Sequence, residues 1–122
     1  MDAAELAEVL ATIAAAGRPY HEAMRTHDLS VGVYALEAGD TDPQGPHTED
    51  EVYYVVSGRA TITVGDEERA VRAGSIVFVD ADVVHRFHDI EERLVVLVAF
   101  GPAEYTHRLD HDRGHPHGAA PA

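Results

Sequence analysis

The stretch Gln44-Gly45-Pro46-His47-Thr48-Glu49-Asp50-Glu51-Val52-Tyr53-Tyr54-Val55-Val56-Ser57-Gly58 decides how the rest of the chain is read. Its first half is polar and turn-forming, and it delivers His47 and Glu51 four residues apart. Its second half is an apolar run of strand composition that stops at a glycine. Side chains on a strand alternate between faces, so residues an even number apart point the same way. His47 and Glu51 are therefore expected to look into one space, with Tyr53 and Val55 continuing that face. An imidazole beside a carboxylate at a rigid strand edge is the beginning of a metal site. A His-x-x-x-Glu spacing carries little weight alone, and a second stretch has to support it.

That second stretch is Gly74-Ser75-Ile76-Val77-Phe78-Val79-Asp80-Ala81-Asp82-Val83-Val84-His85-Arg86-Phe87-His88-Asp89. A glycine turn leads into a short apolar strand, a polar turn follows, and a second strand carries His85. Together the two stretches resemble the paired motifs of the cupin superfamily, over residues 29 to 100. Glu51 and Gly58 have the spacing of the first motif, and His47 sits where the second histidine of its pair belongs. Gly74, His85 and Asp89 fall on the frame of the second motif. Two positions depart from it. The first histidine of the pair falls on Gly45, and the Pro-x-Gly turn reads Asp80-Ala81-Asp82. That turn must be made differently.

The resemblance implies that His47, Glu51 and His85 converge. Two imidazoles and one carboxylate, with positions left open, suit iron(II) and accommodate manganese, nickel, cobalt or zinc. One such divalent transition metal is the expected cofactor. Gln44, beside the vacant Gly45 position, is a candidate fourth ligand through its amide oxygen, with water as the alternative. Tyr53 shares the face of Glu51 and is the candidate catalytic residue, acting as an acid or orienting a substrate through its hydroxyl. A tyrosine that only fills the lumen fits equally well. Val83 and Phe87 share the phase of His85 and are expected to wall the pocket. His88 is expected outside, and Glu49 is expected to be a solvated turn carboxylate.

The remaining chain frames this centre. A length of 122 residues allows one core and not two. Leu6, Val9, Leu10 and Ile13 recur with helical period, predicting an amphipathic helix over residues 2–16. Asp2 and Glu5 read as a capping-box start, and Gly17 with Pro19 as the stop. The helix is expected to pack on the outside of the sheet. Arg18 to Asp28 reads as a connector. Seven short strands are expected at 29–37, 52–57, 60–64, 67–71, 75–79, 83–88 and 93–100. The expected fold is all-β, a single-domain cupin-like barrel or jelly roll with an N-terminal amphipathic helix. Its parts are residues 1–28 (helix and connector), 29–101 (barrel) and 102–122, a histidine-rich tail whose composition predicts disorder. The strand at 93–100 is apolar on both faces and so requires cover on both, which favours a homodimer.

Composition narrows the partners. The net charge is −13, which disfavours nucleic acid or an anionic membrane surface. All nine basic residues are arginine, in keeping with a GC-rich genome or a salty cytoplasm. No cysteine is present, so disulfides and thiolate ligands are excluded. Neither a long apolar segment nor a signal-like start is visible, and a cytoplasmic location is expected. Cupins include dioxygenases, isomerases, epimerases, lyases and plain binding domains. The reading adopted is a metal-dependent enzyme acting on a small organic molecule, with dioxygenase-like chemistry ahead of isomerisation or lysis. The competing reading is a noncatalytic small-molecule-binding module. A third is a metal-handling protein centred on His107, His111, His115 and His117.

Overall fold

A computed structural model describes residues 1–42 and 47–104 of the chain. Helix α1 (Leu6–Ala16) precedes six strands: β1 (Tyr20–Arg25), β2 (Ser30–Leu36), β3 (Asp50–Val64), β4 (Glu67–Arg72), β5 (Ile76–Val79) and β6 (His85–Gly101). All pairings are antiparallel, in the order β1-β2-β6-β3-β4, with β5 pairing the first part of β3. The sheet wraps around one core, to which β2 to β6 all contribute: Leu36, Tyr53, Val71, Val79 and Phe87 are buried together there. This is the antiparallel jelly roll expected from the sequence. Among the described residues, no helix is long and apolar enough to cross a membrane.

Two pairs of expected strands are single long strands. In β3, Glu51, Tyr53 and Val55 face inward, and then Ala60 and Ile62 do. The inward phase changes from odd to even around Gly58, where the β3–β6 register shifts. Gly58 has φ +94°, and a Cβ there would lie 2.1 Å from the Arg93 carbonyl oxygen. The glycine read as a turn is therefore a bulge that bends one strand around the barrel. The same happens in β6. His85 and Phe87 face inward, then Ile90, Leu94, Val96, Val98 and Phe100, with Asp89 at φ 48° beside the change.

Two further expectations are corrected at the N-terminal side. Tyr20–Arg25 is an edge strand rather than a connector, held to β2 by Tyr20↔Tyr34 and the pairs that follow. The helix begins at Leu6, with Glu5 at the N-cap and no side-chain capping bond, so the capping box is not formed. Gly17 does end it, in the left-handed conformation, donating its N–H to the Ile13 carbonyl over 3.0 Å. Val9 and Ile13 pack on Val33, Ala35 and Val95 on the outer face of the sheet, as expected.

Candidate metal centre

His47 lies just before β3, Glu51 near its start, and His85 at the start of β6. The intervening turn brings them together. Asp82 stands where the motif has glycine and adopts φ 65°, a left-handed conformation that aspartate tolerates better than most residues. Its N–H donates to the His47 carbonyl over 2.6 Å. The Ala81 N–H donates to Asp50 Oδ1 over 2.9 Å, so the turn is sewn to the first motif at two points. Buried Asp42 accepts the Phe87 N–H over 2.8 Å and anchors β6.

One ligating atom from each of His47, Glu51 and His85 lies within 4.8 Å of the others. His47 Nδ1 is 3.2 Å, and His85 Nε2 3.1 Å, from Glu51 Oε2. All three residues are at most 3% exposed. Ligands held roughly 2.0–2.2 Å from one ion sit about 3 Å apart, so these donors already have the spacing of one edge of a coordination shell. Glu51 Oε1 and His85 Nε2 are buried without a well-directed hydrogen bond, as atoms awaiting a ligand are. His85 Nδ1 lies 2.9 Å from the Val83 carbonyl, which can only accept, so Nδ1 carries a hydrogen and Nε2 is the nitrogen left to bind a metal. The donor set fits a divalent transition ion.

The electrostatics are those of a compensated cluster. Burial pushes the Glu51 carboxyl up, but contact with His47 and His85 outweighs it and holds the pKa at about 2. Burial pulls His47 down, and contact with Glu104 and Glu51 overrides this to raise it to about 9. His85 is also raised, Glu51 overcoming the cost of burial. Tyr53 is fully buried, and burial, reinforced by the nearby Glu51 carboxylate, pushes its pKa well above the ordinary tyrosine value. Its ring packs against Phe87, with centroids 5.0 Å apart, and lies 6.0 Å from the His85 ring.

Other candidates fall elsewhere. His88 points away from the cluster, bonding Thr63 Oγ1 at 2.7 Å and Asp89 at 3.0 Å. Glu49 is not solvated: it is 1% exposed and accepts the Thr48 hydroxyl. Phe87 is buried in the core, and Val83 packs against that core. Gln44 and Gly45 lie outside the described residues, as do the four tail histidines. One residue at the centre escaped the sequence reading. Glu104, 4% exposed, places Oε2 2.9 Å from His47 Nε2. It lies beyond the end of β6, next to equally buried Ala103, where no strand alternation marks it in the sequence. A cleft of about 470 Å³ between β4 and β5, lined by Ile62, Arg69, Phe78 and Val83, touches none of the three candidate ligands.

The jelly roll and its His-Glu-His cluster define a class, and the sequence comparison agrees: the chain belongs to the cupin domain family, whose model matches residues 32–100. A curated relative, an uncharacterized protein of Streptomyces coelicolor, is 54% identical over 104 residues, covering 85% of this chain and 99% of its own. Among solved structures, an RmlC-like cupin of Methanocaldococcus jannaschii with a double-stranded β-helix fold matches with a TM-score of 0.65 and 19% identity, over 75% of this chain and 84% of that one. The DMSP lyase DddQ of Ruegeria pomeroyi matches with a TM-score of 0.58 and 23% identity, over 62% of this chain. This chain spans only 39% of that lyase. Both structural likenesses concern the fold.

Proposed function

We propose that this cupin holds one divalent transition metal ion on His47, Glu51 and His85 and is an enzyme acting on a small organic molecule. The observation that carries this is the gathering of three buried donors within 4.8 Å of one another. Iron(II) is the favoured ion, since two imidazoles and a carboxylate leave open positions and match its preference. When bound, the ion supplies a Lewis acid and, if iron, one-electron chemistry toward dioxygen, serving either a dioxygenase-like reaction or an isomerisation or lysis. The chain's residues do the rest. Glu51 supplies the anionic donor, Val83 fixes the tautomer of His85, and the Tyr53 hydroxyl stays protonated beside Glu51. Substrate acid–base work by Tyr53, and ligation by Gln44, belong to the same proposal. The lyase among the structural neighbours keeps lysis beside oxygen chemistry.

A noncatalytic module is the second reading. It is favoured by the self-compensation of the cluster, where two imidazoles, His47 and His85, face two carboxylates, Glu51 and Glu104, without an ion. Elemental analysis of protein purified without added metal separates the two, run on the full chain and on a chain ending at Glu104. About one transition-metal ion per chain in both supports the barrel site that the enzyme reading requires; none in either leaves the metal-free module. Metal lost with the tail favours the tail histidines.

We also propose a homodimer. The outer face of β5, β3 and β6 exposes Ile76, Phe78, Val52, Tyr54 and Leu97, with Ile76 at 70% and Phe78 at 55%. Register places them side by side, Val52 opposite Phe78, and Tyr54 opposite both Ile76 and Leu97. A contiguous apolar patch of this kind marks an interaction surface, and on a chain otherwise so acidic a second copy of the same uncharged patch is the fitting cover.

A further inference from the structure

Glu104 has no place in the motif frame, yet the fold fixes it at three points. Its N–H donates to Ser30 Oγ over 2.8 Å, and Ser30 is fully buried at the start of β2. Its carbonyl accepts the Arg25 guanidinium, which Glu22 holds at 2.9 Å. Its carboxylate reaches His47 Nε2 at 2.9 Å. A carboxylate is unfavourable in a dry interior unless it is paired, so a buried glutamate anchored along its backbone and aimed at one imidazole nitrogen has a directed role. The other nitrogen of that imidazole, Nδ1, faces Glu51.

We infer that Glu104 is a positioning residue: by accepting the Nε2–H of His47 it sets that histidine's tautomer and directs the Nδ1 lone pair to the side shared with Glu51 and His85. A carboxylate partner also raises the basicity of the ligating nitrogen, which a neutral carbonyl does less. His85 is oriented by the Val83 carbonyl and His47 by a charge, so the two imidazoles are unequal donors. Arg25 and Ser30, on β1 and β2, act on the site through Glu104 although neither is a candidate ligand. The inference rests on the metal reading above.

The test uses Co²⁺ as the probe on the full chain, with Glu104→Gln, Glu104→Ala and Ser30→Ala. Affinity is read by chelator competition, ligand geometry by the visible absorption of bound Co²⁺, and the fold by melting of the metal-free protein. Glutamine still accepts the Nε2–H through its amide oxygen, so Glu104→Gln is expected to bind about 10-fold more weakly, with unchanged absorption bands. Glu104→Ala is expected to lose about 100-fold, and Ser30→Ala to weaken binding without changing the bands. Affinities within twofold of the parent in both Glu104 variants overturn the inference, even if melting falls. Altered bands in Glu104→Gln make Glu104 a ligand and overturn it too. A parent that takes up no Co²⁺ removes the metal reading itself, an outcome distinct from variants that bind as the parent does.

Discussion

Glu51 keeps its negative charge in a dry interior because two imidazoles face it, and this dictates how the metal-free protein responds to pH. Its carboxyl, at about 2 against an ordinary 4.5, contributes stability that is present above pH 4.5 and lost as pH falls toward 2. His47, at about 9 against 6.5, contributes stability that is complete below pH 6.5 and lost as pH rises through 9. The metal-free protein should therefore melt highest between about pH 4.5 and 6.5. A transition metal reverses the alkaline limb, since it binds deprotonated imidazoles, and its stabilising shift should grow from pH 6.5 to 9. Melting curves across pH, with and without Mn²⁺, check both. A flat metal-free profile, or a metal shift larger at pH 6 than at pH 9, contradicts the cluster as described. His47, Glu51 and His85 were legible in the sequence because ligand types at fixed spacing survive without coordinates. Glu104 was not, because its partner is 57 positions away in sequence and no local pattern marks it.

The long strands show what local patterns convey about elements. Glycine and aspartate between apolar runs read as turns, and the inward phase does change there. A change of phase arises equally from a turn or from a bulge within a continuing strand. Only the pairing of β3 with β6 along nearly their whole length decides for the bulge. Tyr20–Arg25 was hidden for another reason. It is an edge strand, mostly half-buried, and its residues lack the strict alternation that announces a strand. The Gly58 bulge carries a prediction. Gly58→Ala forces a side chain into φ +94° and a Cβ to 2.1 Å from the Arg93 carbonyl oxygen, so the backbone must move. A loss of about 2 kcal/mol or more is expected from denaturant unfolding, whereas Gly74→Ala, strained but with nothing near its Cβ, should lose less. Equal, small losses would mean that the bulge is not where the strand bends.

At the scale of the molecule, charge and apolar surface pull on the same fold. With a net charge of −13, moderate potassium chloride should raise the melting temperature by screening self-repulsion, and a fall would count against that repulsion. The apolar outer face should hold two copies together. Phe78→Glu, placing a charge on a side chain 55% exposed, should halve the mass seen by light scattering while leaving the metal-free melting of the monomer near that of the parent. A parent already monomeric at micromolar concentration contradicts the dimer. The central claim concerns the metal and is tested most directly by affinity, measured by chelator competition, in the parent and in Glu51→Ala. Glu51 supplies the one anionic donor among the three candidate ligands, so the account predicts one tight equivalent in the parent and a loss of at least about 100-fold in the variant. Equal, weak affinity in the two proteins would contradict it.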